Sequence, residues 1–329
     1  MRFPGNQHVP VPCALIQGGL FAPRVPVTDP WKGMIMRTKR LIPVVLATTL
    51  GLTLTACGGG SDNSDPAADG KITVGIVGST PVQDALKQVA ADNDITVEYV
   101  DFSDYSQPNP ALKSGDIDMN WFQHIAYLAD YNNNSGDTIT PVGSTSIFPL
   151  GLYSKSVKSV GDFKQGDEIA VPNDSINLSR ALNLLHQQGL VEFTKDTIAP
   201  TEQDIDTAKS KVTVRPVSAE QTVLSMDSVA ASVVNNDFLD RANIDPKSAL
   251  AQDDPTADSA KVYDNLFAAT EANADNETLK KVASFYYDDK VQDAEKTETK
   301  GTAVPTKVDQ QELKDLLARY SQDLKEQTK

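Results

Sequence analysis

The chain has 329 residues, 40% of them hydrophobic, and a formal net charge of −15. That is apolar material for one large or two ordinary packed domains, which excludes wholesale disorder. The acidity excludes a phosphate-backbone binder, so no nucleic-acid partner is expected. Two cysteines, Cys13 and Cys57, and three scattered histidines, His8, His124 and His186, exclude a disulfide framework and a Cys- or His-rich metal site. Neither a metal nor a cofactor is expected.

Residues 1–35 are rich in Pro and Gly and precede a second start-like sequence. They read as a misplaced gene start, with translation beginning at Met34 or Met36, or as a disordered extension. Residues 36–56 then read as a signal peptide. Arg37, Lys39 and Arg40 precede the apolar run Leu41–Ala56, which is shorter than the ~20 residues of a membrane span and ends in small residues. Leu54-Thr55-Ala56-Cys57 resembles the bacterial lipobox, in which the cysteine is acylated and becomes the mature N-terminus. The reading implies a palmitate-type anchor on Cys57 and a location on the extracytoplasmic face of the cell membrane. Residues 57–70 read as the lipidated, flexible tether.

Beyond the tether, Lys71–Val77 alternates β-branched residues as a buried strand. Gly78-Ser79-Thr80-Pro81 then offers a helix cap, and Val82, Ala85, Leu86, Val89 and Ala90 fall at helical spacing. Ile95–Phe102 alternates again, completing a β-α-β unit that predicts α/β architecture. No nucleotide-loop pattern accompanies its glycines. Tyr105–Pro110 turns the chain, Ala111–Gly115 is short and helical, and Ile117–Met119 predicts a brief strand. That strand would deliver Asn120–Tyr127 to a sheet edge, where open α/β sheets bind ligands. Asn132–Gly136 reads as a loop, and Thr138–Tyr153 as two extended pieces broken at Phe148-Pro149.

Further on, Asp167–Val171 is a strand and Leu178–Gln188 a helix stopped by Gly189. His186 lies within that helix as a surface or half-buried residue. Val212–Val217 and Val229–Val234 read as strands, with a helix start at Ala219–Leu224 between them. Ala249–Ser259 reads as an acidic loop and Val262–Ala269 as a strand of the first half. Asn276–Tyr287 and Gln310–Lys325 read as helices connected through Lys296–Thr306.

Gly115–Leu128, GDIDMNWFQHIAYL, concentrates aromatic rings carrying polar tips. By composition it suits either a buried helix start or the wall of a small-molecule pocket. Together with FSDYSQPNPAL (Phe102–Leu112), VPNDSINLSRALNLL (Val171–Leu185) and VVNN (Val233–Asn236), it resembles the NlpA/MetQ family, substrate-binding lipoproteins of methionine ABC importers. The patterns N-x-F-Q-H-x-x-Y-L and P-N-D-x-x-N-x-x-R carry the resemblance, which spans roughly Lys71 to Lys290. Trp121 stands where the family is often small, and the tail after Val291 departs from the family's usual ending.

The resemblance implies a two-lobed periplasmic-binding-protein fold, type II-like, with the ligand cleft between the lobes. The chain crossings are placed near Phe148-Pro149 and near Asn235. Residues 71–147 and 236–329 would form one lobe and 148–235 the other. It also implies a receptor for L-methionine or a close relative, delivering to an ABC importer's permease and its ATPase. A zwitterion needs both charges matched. Arg180 is expected to bind the carboxylate, with Asn177 one turn earlier, and Asn235 to accept from the ammonium group. Tyr105, Phe122, His124, Tyr127 and Phe148 are expected to form the side-chain slot. Asn120 is expected as a contact or a support, and Trp121 as a core residue or a modifier of the slot. Another amino acid, a methionine-containing dipeptide, or an adhesin-like surface lipoprotein are the alternatives. An enzyme is not expected, since no G-x-S-x-G, H-E-x-x-H or Cys/His nucleophile pair occurs. Asp116 and Asp118 read as turn-capping carboxylates.

Overall fold

The computed structural model describes residues 70–327 apart from Ile198. The N-terminal extension, signal peptide, Cys57 and nearly all of the tether lie outside the described residues.

The first sheet begins with β1 (Lys71–Val77), α1 (Pro81–Ala91) and β2 (Thr96–Phe102). Ile72, Val74 and Ile76 are fully buried, as the alternation requires. Thr80 caps α1: its hydroxyl accepts from the Val82 N–H, and its own N–H donates to Gln83 Oε1 at 2.9 Å, with Pro81 at the first helical position. Next come α2 (Pro108–Ser114), β3 (Met119–His124), α3 (Ile125–Ser135) and β4 (Ile139–Ile147). Gly115 and Gly136 close α2 and α3 in the left-handed region, at φ 83° and 76°. The Asn-rich segment before Gly136 is therefore the last turn of a helix, not a loop, and α2 starts at Pro108, inside the expected turn.

The chain then builds a second sheet from β5 (Gly151–Tyr153), β6 (Asp167–Pro172), α4 (Ser175–Gln187), β7 (Val212–Val217), α5 (Ala219–Ser225), β8 (Ala231–Val234) and β9 (Ala251–Gln252). It returns through β10 (Asp264–Thr270), α6 (Glu277–Ser284), α7 (Asp289–Glu298), β11 (Val304–Pro305) and α8 (Gln310–Gln327). The strand orders are β11-β4-β10-β3-β1-β2 and β7-β6-β8-β5-β9. Each sheet has a parallel trio with its earliest strand in the middle, flanked by an antiparallel strand: β10 beside β3, and β5 beside β8.

The chain passes from β4 in the first sheet to β5 in the second through Phe148–Leu150. The return crossing lies later than Asn235. β9, inside the acidic stretch read as a loop, pairs with β5 through Leu152 and Gly151. The chain therefore rejoins the first sheet only after Gln252. A two-residue strand is too short to show periodicity, which is why it escapes sequence reading. Helix α7 was also missed, because its charge-rich sequence buries only Val291 and Glu295.

Each sheet has its own apolar core. One gathers Ile72, Leu86, Met119, Trp121, Phe267 and Tyr286. The other gathers Leu152, Ile169, Leu182, Leu185 and Val233. A third cluster, with Tyr105, Phe122, Tyr153, Val234 and Phe238, joins strand ends from both sheets and forms the floor of the site.

Candidate functional site

β3 supplies one wall. All six of its residues are buried, because the sheet is covered on both faces. Asn120–His124 are thus part of the strand itself, rather than a segment delivered by an earlier one. Phe122 packs with Tyr105 and Tyr127 in a cage, the three ring centroids lying 5.8–6.0 Å apart in tilted and edge-on pairs. The neighbouring Trp121 points the other way, into the core, 4.7 Å from Phe267 and edge-on to Tyr286. It does not shape the slot.

His124 ends β3 and caps α3. Its Nδ1 accepts the Tyr127 N–H at 3.1 Å, which places the proton of the neutral ring on Nε2. Nε2 faces Asn177 Oδ1 at 3.4 Å. Burial, helped by the Arg180 charge, pushes the imidazole down to about 3, so the ring is neutral at physiological pH.

α4 supplies the opposite wall. Asp174 caps it, accepting the Asn177 N–H at 2.9 Å. The Asn177 side chain donates to Asp174 and accepts from Asn235 Nδ2 at 3.0 Å, both on its own side of the pocket, and the same Oδ1 faces His124 on the β3 wall. One turn on, Arg180 is only 5% exposed. Its Nε donates to Asp253 Oδ2 at 2.6 Å and its Nη2 to the Phe148 carbonyl at 2.8 Å. Its guanidinium lies 4.0 Å from the centroid of the Tyr263 ring. Arg180 therefore already has a carboxylate, and Nη1 is the edge left without a hydrogen bond among the described residues. Asp253 had no local signal in the acidic loop, because its partner lies 73 positions away.

Asn235, at the end of β8, is 8% exposed, and its Oδ1 is buried with no hydrogen-bond partner among the described residues. Two residues on, Asp237 Oδ2 accepts the Tyr105 hydroxyl at 2.5 Å. Burial raises the Asp237 carboxyl to about 6, against the pull of that hydrogen bond and of Arg241.

Tyr105, Phe122, His124, Tyr127, Phe148, Asn177, Arg180 and Asn235 come together around about 420 Å³ of empty space, part of it open to solvent. Gln123, Asp237 and Asn265 also line it. Asp237 directly follows the Asn235-Asn236 strand end, the one signal that would have found it. Asn120 does not line this space. It is fully buried, donating to Asn109 Oδ1 at 2.9 Å and accepting from Gln123 Nε2 at 2.9 Å. Asn109 and Gln123 complete a buried amide cluster behind the wall.

The profile of the NlpA lipoproteins matches residues 72–307. The chain belongs to the NlpA lipoprotein family. The match runs past Val291 to residue 307, so the first part of the ending that reads as a departure lies within the family's span. The probable D-methionine-binding lipoprotein MetQ of Vibrio cholerae is 34% identical over 272 residues, covering 81% of this chain and 97% of that protein. The substrate-binding protein of a methionine transporter from Streptococcus pneumoniae superposes with a TM-score of 0.67 at 32% identity, covering 72% of this chain and 95% of that one. A nutrient-binding protein from Burkholderia cenocepacia, solved bound to methionine, gives a TM-score of 0.66 at 34% identity, over 71% and 99%. This NlpA-family chain has the α/β, two-lobed fold of the periplasmic binding proteins. Among its described residues no helix is long and apolar enough to cross a membrane.

Proposed function

We propose that this NlpA-family protein is a lipid-anchored, extracytoplasmic receptor that binds methionine between its two sheets and hands it to an ABC importer's permease and ATPase, without catalysis. The observation that carries the reading is the pairing of an aromatic cage (Tyr105, Phe122, Tyr127) with polar groups of opposite character at its rim. The Nη1 edge of Arg180 and the start of α4 suit the ligand carboxylate. Asn235 Oδ1 suits a donor. A thioether against aromatic edges gains ~0.3–1.5 kcal/mol, a bias toward methionine among apolar side chains. The methionine named for the relatives supports the same ligand. The two sheets act as lobes that hinge at Phe148–Leu150 and at the return after Gln252, closing on the ligand as other two-lobed binding proteins do.

Mass spectrometry of the small molecule released from purified protein is the direct test. A thermal-shift panel with L-methionine, D-methionine and other amino acids accompanies it. The reading expects methionine in the released fraction and a raised melting temperature with at least one enantiomer. No shift with either, together with a clear shift from another amino acid, overturns the substrate. Turnover of a bound amino-acid derivative overturns the non-catalytic role. For the anchor, Cys57→Ser is expected to abolish palmitate labelling and move the protein from the membrane to the soluble fraction.

A further inference from the structure

Among the described residues Asp237 is an acid with no ion-pair partner. Its carboxylate lines the pocket, and Oδ2 takes the Tyr105 hydroxyl. Among the described residues no lysine or arginine is ion-paired with it; Arg241, whose charge is felt there, is paired with Asp101 at 3.4 Å. Asp237 also lines a second cavity, with Glu295 and Glu298 and no lysine or arginine in its lining. Asn235, two residues earlier, lines the same pocket and carries a buried acceptor oxygen with no hydrogen-bond partner among the described residues. On the far wall, Arg180 is already neutralised by Asp253. The rim is therefore short of one positive donor. A half-buried carboxylate without a cation is costly, and an unsatisfied buried amide oxygen adds to the cost. A single ammonium group would relieve both.

The geometry points to Asp237, acting with Asn235 Oδ1, as the receptor for the ligand's α-ammonium group, so that the Asp237 charge makes the pocket select free amines over neutral analogues. This rests on the amino-acid reading above and deepens it. Asp237→Asn removes the charge but keeps an acceptor for the Tyr105 hydroxyl. That variant separates recognition of the ammonium from simple support of Tyr105.

The test is isothermal titration calorimetry of the purified protein and of Asp237→Asn at neutral pH. The probes are L-methionine and its des-amino analogue, 4-(methylthio)butanoate. Methionine is expected to bind the variant at least about tenfold more weakly, the scale set by losing one partner of a buried charge pair. The analogue is expected to bind it no more weakly than it binds the unaltered protein, so the preference for the amine collapses. An unchanged preference, or equal weakening of both probes, overturns the inference while leaving the amino-acid reading intact. An unaltered protein that binds no amino acid overturns both. Should Asp237→Asn lack a cooperative melt, Asp237→Ser carries the same comparison.

Discussion

Buried Arg180 and half-buried Asp253 form an ion pair at 2.6 Å that ties α4 to the segment by which the chain leaves β9 for the first sheet. Asp253 also accepts the Leu150 N–H at 2.8 Å, and Arg180 donates to the Phe148 carbonyl. One charge pair thus holds both chain crossings beside the pocket. Arg180 clasps the crossings with Nε and Nη2, and the proposed carboxylate contact would use its Nη1. Arg180→Ala is expected to weaken every amino-acid ligand alike, by ~2–5 kcal/mol, the usual cost of stranding one member of a buried charge pair. Calorimetry across the amino-acid panel measures it. Unchanged affinity would remove Arg180 from the site.

Phe122 belongs to the cage and makes none of the polar contacts. Phe122→Ala is expected to reorder the preference among apolar side chains, with methionine losing ~1 kcal/mol against smaller residues as its aromatic contact goes. Ranked thermal shifts for methionine, leucine, valine and alanine decide it. A uniform fall across the panel would mean that Phe122 supports the fold of the site and does not select.

Asn120 supports the wall from behind. Asn120→Ala leaves Asn109 and Gln123 each short of a buried hydrogen bond. The expected loss is ~1–3 kcal/mol of unfolding free energy, with the ranking of ligands unchanged. Urea denaturation with and without methionine measures both. A changed ranking with intact stability would return Asn120 to the pocket.

The pH dependence has a definite sign. Burial raises the Asp264 and Glu298 carboxyls to about 7 and that of Asp237 to about 6. Folded values above the unfolded ones mean that the folded state holds the protons more tightly. The stability these acids contribute is full below ~4 and is lost as pH rises through 6 to 7. Asp204 works the other way, held down at about 2 by Lys195 and by Thr201, so its contribution is lost below ~4. The ligand-free protein is therefore expected to melt at a higher temperature near pH 5 than at pH 8, and lower again in stronger acid. Asp264→Asn should flatten the alkaline side of the curve. A melt that rises steadily toward pH 8 would contradict these assignments.

Ligand binding is expected to run opposite to that stability. The acids, bases and phenols set around Asp237 are Tyr105, Arg241, Glu295 and Glu298. Protonating Asp237 below about 6 removes the charge offered to an ammonium group. Methionine affinity should fall between pH 7 and pH 5 in the unaltered protein and much less in Asp237→Asn. Calorimetry at both pH values reads this; parallel pH profiles would assign the change to another group.

Local sequence was enough for the elements that bury one face or carry a cap. β1, α1 and β2 follow from strict alternation, helical spacing and the Thr80-Pro81 start. Phe148-Pro149 breaks the extended run where the chain crosses between sheets. The segments lining the two walls of the pocket were also legible, because Asn120–Leu128 and Pro172–Arg180 are long, specific patterns, each running from a strand end into the helix that follows it. Family membership rests on the same runs.

The tertiary structure decided what depends on partners far along the chain. In β3 every side chain is buried, so no alternation could tell Phe122, in the pocket, from Trp121, in the core, or from Asn120, in the amide cluster. The pairing of β9 with β5, the neutralisation of Arg180 by Asp253 and the setting of Asp237 join segments that carry no mark of one another. A periodic pattern records which face of an element meets the core. A charge pair across more than seventy residues leaves no local pattern, so it is visible only once the chain has brought the two ends together.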